Sequence, residues 1–280
     1  MSIFNIKSHA KINLALNIIG KSKRLHKIES IVAFLDLYDE IEIKKVDYKD
    51  HKIKFLGKFS SGIKSKNTVS QLFENIEKKK LLKNKYQVIV KKNIPTKAGL
   101  GGGSMNAANI LNFFVKKKLI KVKKKEIIDL SNSIGSDVIL GLYSKSLVLN
   151  KKNQIKLIPF KNYFYTLIVK PNFGCSTKLI YSKVKKFNKP KFDSIYKNYL
   201  NLKFLKFSKN DLEVLALNRY PKLKDLKTFL EKLPNIKFVR MTGSGSACYG
   251  LFVNKNSSLV ALKKLRKKYP KFWFSIAKTI

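Results

Sequence analysis

Cysteine, arginine and acid are all scarce in this chain of 280 residues. Two cysteines, Cys175 and Cys248, can make neither a disulfide framework nor a four-cysteine zinc site, and a reducing cytosol is the simplest setting for them. Gly 13 and Pro 7 exclude collagen-like and low-complexity chains. No apolar run approaches the ~20 residues of a membrane helix, which excludes a spanning protein. Lys7, His9, Lys11 and Asn13 break up the first twenty residues, so no signal peptide is expected and the expected location is cytoplasmic. Asp and Glu number 17 against 60 Lys and Arg, a formal charge of +43. Only Arg24, Arg219, Arg240 and Arg266 bring the planar fork that base and phosphate readers favour. The lysines run along the whole chain. Lys, Asn, Ile, Phe and Tyr share A/T-rich codons, so codon bias accounts for the charge better than a dedicated nucleic acid role does. Nonspecific adhesion to polyanions at low salt is still expected.

What is present is a packable chain. Hydrophobic residues make up 44%, ordinary for a globular protein. The length suggests two domains or one large one, with a boundary where NKKNQ interrupts the strands: residues 1–155 and 156–280. Residues 10–18, AKINLALNI, alternate apolar and polar as a half-buried strand does, with Lys11 and Asn13 side by side on the face turned away from the core. Further strands are predicted at 30–35, 40–44, 52–56, 87–91, 146–149, 156–158, 165–169 and 272–277. Helices are predicted at 67–80, after Ser104 as N-cap, at 123–132, from Thr177, and at 211–218, 223–230 and 257–268. FVRMTGSGSACYGLFV reads as a hairpin. Strands and helices without steady alternation indicate an α+β fold.

Three patches can carry chemistry. GLGGGS, residues 99–104, places glycine turns directly before a helix, so successive N–H groups and the helix dipole face one point, as in a phosphate cradle. It is not the Walker form, which needs a lysine after the glycines, nor a dinucleotide fingerprint. TGSGS, residues 242–246, is a tight hairpin turn that acquires meaning from the first cluster, because both glycine patches can face one ligand. The third patch is Lys11 with Asp137. A lysine on a strand is ordinarily a solvated charge here. Asp137 stands after Gly135 in SIGSDVILG, either as a helix cap or as a carboxylate beside a phosphate loop that accepts a hydroxyl proton.

Together these patches resemble the GHMP kinase superfamily. GLGGGSMNAA is similar to its phosphate loop and RMTGSGSACYGLF to its C-terminal glycine motif. AKINLALNIIG, a following histidine, FLDLYDEIEI, IPTKAGLGGGS and NDLE at residues 210–213 narrow the resemblance to the branch acting on a cytidine diphosphate-linked methylerythritol in non-mevalonate isoprenoid biosynthesis. The resemblance covers nearly the whole chain. It implies an N-terminal domain like ribosomal protein S5, a C-terminal ferredoxin-like domain, ATP and Mg²⁺, and transfer of the γ-phosphoryl group to a tertiary hydroxyl. It implies Asp137 and Lys11 as the catalytic pair. ATP contacts are implied from Pro95, Lys97, Ala98, Gly99, Leu100, Gly101, Gly102, Gly103 and Ser104, with no protein residue assigned to the metal. Substrate contacts are implied from Asn13, from His26 on the cytosine edge, from Tyr181 against the base, and from Gly243, Ser244 and Gly245 in the second loop.

The chain departs from the family pattern twice. Lys23, Arg24, Leu25 and His26 stand where the family has Asp-Gly-Tyr-His, which removes a stacking tyrosine. Met105 replaces a loop serine. The expected partner is a small-molecule substrate, with no specific nucleic acid, no membrane, and a monomer or weak homodimer. Two alternatives stay open: another GHMP kinase with a different small alcohol, or a basic RNA-binding protein with an S5-like fold.

Overall fold

The computed structural model describes residues 2–22, 25–158, 163–192 and 201–280. Lys23 and Arg24 lie outside them. The chain forms two compact units, one of Met1–Ala10, Leu37–Thr96 and Gly101–Ser144, the other of Lys11–Asp36, Lys97–Leu100 and Lys145–Ile280. Two long strands, β1 (Ile3–Lys21) and β2 (His26–Val46), contribute residues to both.

The sequence predicts two strands where β2 is one, because DLYD breaks the apolar alternation. The strand continues since each carboxylate meets donors. Asp36 accepts from the Lys278 N–H at 2.7 Å. Asp39 accepts from the N–H groups of Asn93 and Ile94 at 2.7 and 2.8 Å. An acid inside a strand is tolerated when its oxygens are paired.

In the first unit, β3 (Lys52–Leu56) lies parallel to β4 (Lys85–Lys91), which is antiparallel to β2, in the order β3-β4-β2. Helix α1 (Thr68–Lys78) starts in a capping box: Asn67 accepts from the N–H groups of Val69 and Ser70, and Ser70 accepts from that of Asn67. Helices α2 (Gly102–Lys116), α3 (Lys124–Ile134) and α4 (Val138–Gly141) follow. Leu72 and Ile76 of α1 and Leu111 and Phe114 of α2 meet Ile41, Ile43, Val88 and Val90 of the sheet in one core.

In the second unit, β5 (Leu147–Leu149) pairs with β2, and β6 (Ile155–Leu157) pairs with β5. A separate antiparallel sheet has the order β10-β7-β9-β8, from β7 (Tyr165–Lys170), β8 (Phe238–Met241), β9 (Cys248–Phe252) and β10 (Trp273–Lys278). Helices α5 (Thr177–Ser182), α6 (Leu202–Phe207), α7 (Asp211–Arg219), α8 (Pro221–Glu231) and α9 (Lys255–Lys268) complete it. Leu223, Leu226 and Leu230 of α8 and Leu265 of α9 pack with Leu167 and Val169 of β7. The α+β class read from the sequence holds. No helix among the described residues is long and apolar enough to cross a membrane.

Candidate active site

The first glycine cluster forms the turn into α2. Gly99 and Gly101 take φ +76° and +73°, in the left-handed region that favours glycine. Gly101 is the N-cap, and among the described residues no side chain caps the helix. The first-turn N–H groups of Gly102, Gly103 and Ser104 have no intrahelical partner by geometry, and the helix dipole is positive there. This suits a triphosphate. Ser104, expected as the cap, is instead the third helical residue, because left-handed Gly101 lets the helix begin three residues sooner. Met105 is fully buried, and its sulfur lies 3.0 Å from where a Cβ on Gly141 would stand. Its side chain therefore packs against α4, so the serine missing at 105 is not a hydroxyl lost from the cradle. Asp137, partly exposed, occupies the N-cap position of α4 without capping it through its side chain. That helix lies close on α2, since a Cβ on Gly141 would come 2.6 Å from that of Ala108.

The second unit gathers Lys11, Asn13, residues 97–100 and the TGSGS turn. A Cβ on Gly99 would stand 2.0 Å from the Thr242 carbonyl oxygen, and one on Gly243 would stand 3.3 Å from Gly99 Cα and 3.6 Å from Lys11 Nζ. The Thr242 hydroxyl donates to Gly99 O at 3.0 Å, and the N–H groups of Ser246 and Ala247 donate to the carbonyls of Lys97 and Ala98 at 3.3 and 3.1 Å. The two turns are thus stitched backbone to backbone. Lys11 and Asn13 are 2% and 3% exposed, against the solvent-facing placement expected of them. The glycine turn covers that face of the strand. Asn13 Oδ1 accepts from Lys11 Nζ at 2.7 Å and from the Gly243 N–H at 3.0 Å, while its Nδ2 donates to Ser30 Oγ at 2.9 Å. Asn13 is therefore the bracket that aims the lysine.

Ser244 Oγ shares a 2.8 Å hydrogen bond with Thr177 Oγ1, at the start of α5, the helix that carries Tyr181. The Tyr181 ring lies 5.1 Å from that of His26, and the Phe187 ring lies 6.3 Å from it. Phe187 and Leu25 are both well exposed. Burial, helped by the charge of nearby Lys21, holds the His26 imidazole below its ordinary value. It is neutral near pH 7 and offers one donor and one acceptor, the pattern a cytosine edge can meet. Phe187 is not among the residues singled out in the sequence.

The working of NDLE was also missed. Asn210 caps α7 through its oxygen and donates to the carbonyls of Met241 and Gly243, both at 2.8 Å. Asp211 accepts from the Ile18 N–H of β1 at 2.7 Å, and Glu213 from the Met241 N–H at 2.6 Å. Buried Arg240 donates to the carbonyls of Leu14, Leu205 and Ser208. These polar groups frame β1 and the TGSGS turn. Burial pushes the Cys175 thiol up to about 11 and the Cys248 thiol well above its usual value, so neither is a nucleophile at neutral pH.

Lys11, Asn13, His26, Lys97, Ala98, Gly99, Leu100, Tyr181 and residues 243–245 belong to the second unit, and Pro95, residues 101–104 and Asp137 to the first.

Comparison with known proteins gives the family. The family described as GHMP kinases N terminal domain matches residues 67–145, and GHMP kinases C terminal matches residues 198–271. Over 281 residues, covering 100% of both chains, the sequence is 50% identical to the 4-diphosphocytidyl-2-C-methyl-D-erythritol kinase of Pelagibacter ubique (strain HTCC1062). It is 32% identical to the enzyme of the same name from Clostridium tetani (strain Massachusetts / E88), over 98% of this chain and 99% of that one. Among solved structures, a 4-(cytidine 5'-diphospho)-2C-methyl-D-erythritol kinase superposes with a TM-score of 0.77 at 22% identity, covering 98% of this chain and 99% of the other.

Proposed function

The chain belongs to the GHMP kinases, among the 4-diphosphocytidyl-2-C-methyl-D-erythritol kinases, and on that premise we propose that it transfers the γ-phosphoryl group of ATP to the 2-hydroxyl of 4-diphosphocytidyl-2-C-methyl-D-erythritol. The observation that carries this reading is the end-to-end 50% identity with a kinase of that name. The geometry supports it with a helix N-terminus suited to phosphates, a bracketed lysine and a neutral histidine among aromatic rings.

Phosphoryl transfer asks for in-line positioning and neutralised charge more than for covalent help. The N–H groups of Gly102, Gly103 and Ser104 hold the β- and γ-phosphates. Asp137 accepts the proton of the attacking hydroxyl as its oxygen bonds to the γ-phosphorus and the bond to the β-phosphate oxygen breaks, releasing ADP. Lys11, held by Asn13, supplies the positive charge that orients the hydroxyl. His26 meets the cytosine edge, and Tyr181 and Phe187 border the base. Mg²⁺ would be held mainly by phosphate oxygens and water, as is usual for that ion. Bound there, the ion neutralises charge on the transferring group. The enzyme acts in the cytoplasm as a monomer or weak homodimer.

A coupled ADP-release assay tests the reading, with the cytidylylated methylerythritol, homoserine and mevalonate as acceptors. Turnover is expected with the first alone. Turnover confined to another alcohol would reassign the substrate. A melting temperature raised by RNA but not by ATP at physiological salt would sink the kinase reading altogether.

A further inference from the structure

The Asp39 carboxylate is fully buried and has no part in the chemistry above. Its Oδ1 accepts from the N–H groups of Asn93 and Ile94 at 2.7 and 2.8 Å. Its Oδ2 accepts from Asn106 Nδ2 at 3.0 Å and pairs with the buried ammonium of Lys92. Asn93 and Ile94 come just before the phosphate loop, and Asn106 lies in α2 just after it. One side chain therefore grips the backbone on the near side of residues 95–104 and the helix on the far side. The ion pair also lies under the loop: a Cβ on Gly102 would stand 3.2 Å from Lys92 Nζ and 3.0 Å from Ile94 Cγ2.

The Asn106 amide shows what dominates the cluster. Its Nδ2 must face the carboxylate, which leaves its buried Oδ1 without a hydrogen-bond partner among the described residues. An unpaired acceptor is kept so that the bond to Asp39 can be made.

We propose that Asp39 is a positioning residue for ATP: by tying Asn93, Ile94, Lys92 and Asn106 to one carboxylate, it presets the first-turn N–H groups of α2 for the triphosphate. The inference rests on the kinase reading of that loop. It concerns nucleotide binding and not the acceptor.

The division of labour between the two oxygens suggests the experiment. In Asp39→Asn, an amide oxygen can still serve the two backbone N–H groups, but the amide nitrogen then confronts two donors, Lys92 and Asn106. Changing Asn106→Asp in the same chain supplies a carboxylate that accepts from both. Calorimetry with the Mg²⁺ complex of adenosine 5′-(β,γ-imido)triphosphate, in the absence of acceptor, should show Asp39→Asn binding about tenfold or more weaker, with the KM for ATP rising in step. The KM for the cytidine acceptor should stay within about twofold, and the Asp39→Asn/Asn106→Asp chain should recover to within about threefold of wild type. Should Asp39→Asn fail to fold, Asn106→Ala removes one donor without a donor conflict and should weaken the analogue about threefold. Unchanged analogue affinity in these folded variants, a double variant no better than Asp39→Asn, or an equal rise in the acceptor KM overturns the proposal. A wild-type protein that binds the analogue but does not phosphorylate the cytidine acceptor refutes the substrate assignment and leaves Asp39 to be judged by the calorimetry.

Discussion

Gly99 and Gly62 form a controlled pair. Both have left-handed backbone, φ +76° and +74°, but a Cβ on Gly62 would meet nothing within 4 Å, whereas one on Gly99 would stand 2.0 Å from the Thr242 carbonyl oxygen. Gly62→Ala therefore measures the conformational cost alone, about 1–2 kcal/mol, partly offset by ~0.4–1 kcal/mol from a stiffer unfolded chain. Gly99→Ala carries that cost and must also drive a backbone carbonyl outward to at least the 3.4 Å of ordinary contact. The retreat strains the Thr242 hydroxyl bond to Gly99, the Gly245 N–H bond to Thr242 O, and the Ser246 and Ala247 bonds to residues 97 and 98. Two to four such bonds at about 0.5–1.5 kcal/mol each bring the added loss to about 1–6 kcal/mol. Urea titrations followed by circular dichroism should show Gly62→Ala near wild type and Gly99→Ala clearly weaker. Turnover should fall as well, because Gly243 and the Lys11 ammonium lie against the displaced segment. Equal stabilities for the two variants would refute the claim that the two glycine turns are locked together.

Asp137→Asn keeps shape and removes the proton acceptor, so turnover should drop about 10²-fold or more with ATP affinity little changed, as single-turnover kinetics and calorimetry would read. Gly102→Val forces side-chain atoms against Ile94 and Lys92 and should abolish ATP binding in calorimetry while circular dichroism stays native; intact affinity would return GLGGGS to a plain turn. The lowered His26 value means the folded protein resists protonation there as the pH falls below 6.5, so the acceptor KM should be flat above that pH and rise well below it, with an NMR titration of His26 placing its midpoint under 6.5. His26→Ala should raise the acceptor KM about tenfold and flatten that profile, leaving the ATP KM alone.

Much of the fold was legible because period and punctuation agree over short ranges. Residues 52–56 alternate and form β3 with those bounds, and Val69, Leu72, Phe73 and Ile76 recur at helical spacing and are the buried face of α1. The misjudged stretches share one cause. DLYD inside β2 reads as a break because acids do not suit a strand interior, and only distant donors, Lys278 for Asp36 and Asn93 for Asp39, make it continuous. A pairing across more than 50 positions leaves no local trace. The start of α2 was displaced for a related reason. Ser104 is the better cap by side-chain chemistry, but the left-handed turn at Gly101 starts the helix before it.

The site residues follow the same rule at higher stakes. Lys11 and Asn13 alternate with apolar neighbours, and period alone turns them to solvent. Their burial comes from a glycine turn more than two hundred residues away, whose Gly243 N–H Asn13 accepts at 3.0 Å. Such a face is costly unless every polar atom is answered. Here Asn13 takes the Lys11 ammonium and the Gly243 N–H on one oxygen and gives its amide to Ser30, and the Asn13 backbone meets Thr242 and Tyr249. The answering groups come from the turn and framework that also hold Gly99 and, through Ser244 and Thr177, the helix of Tyr181. Lysine geometry, the run-up to the phosphate loop and the wall beside His26 are therefore set by one hydrogen-bonded frame. A substitution in that frame, at Asn13 or Asn210, should perturb all three together, whereas one at Tyr181 should touch only the last.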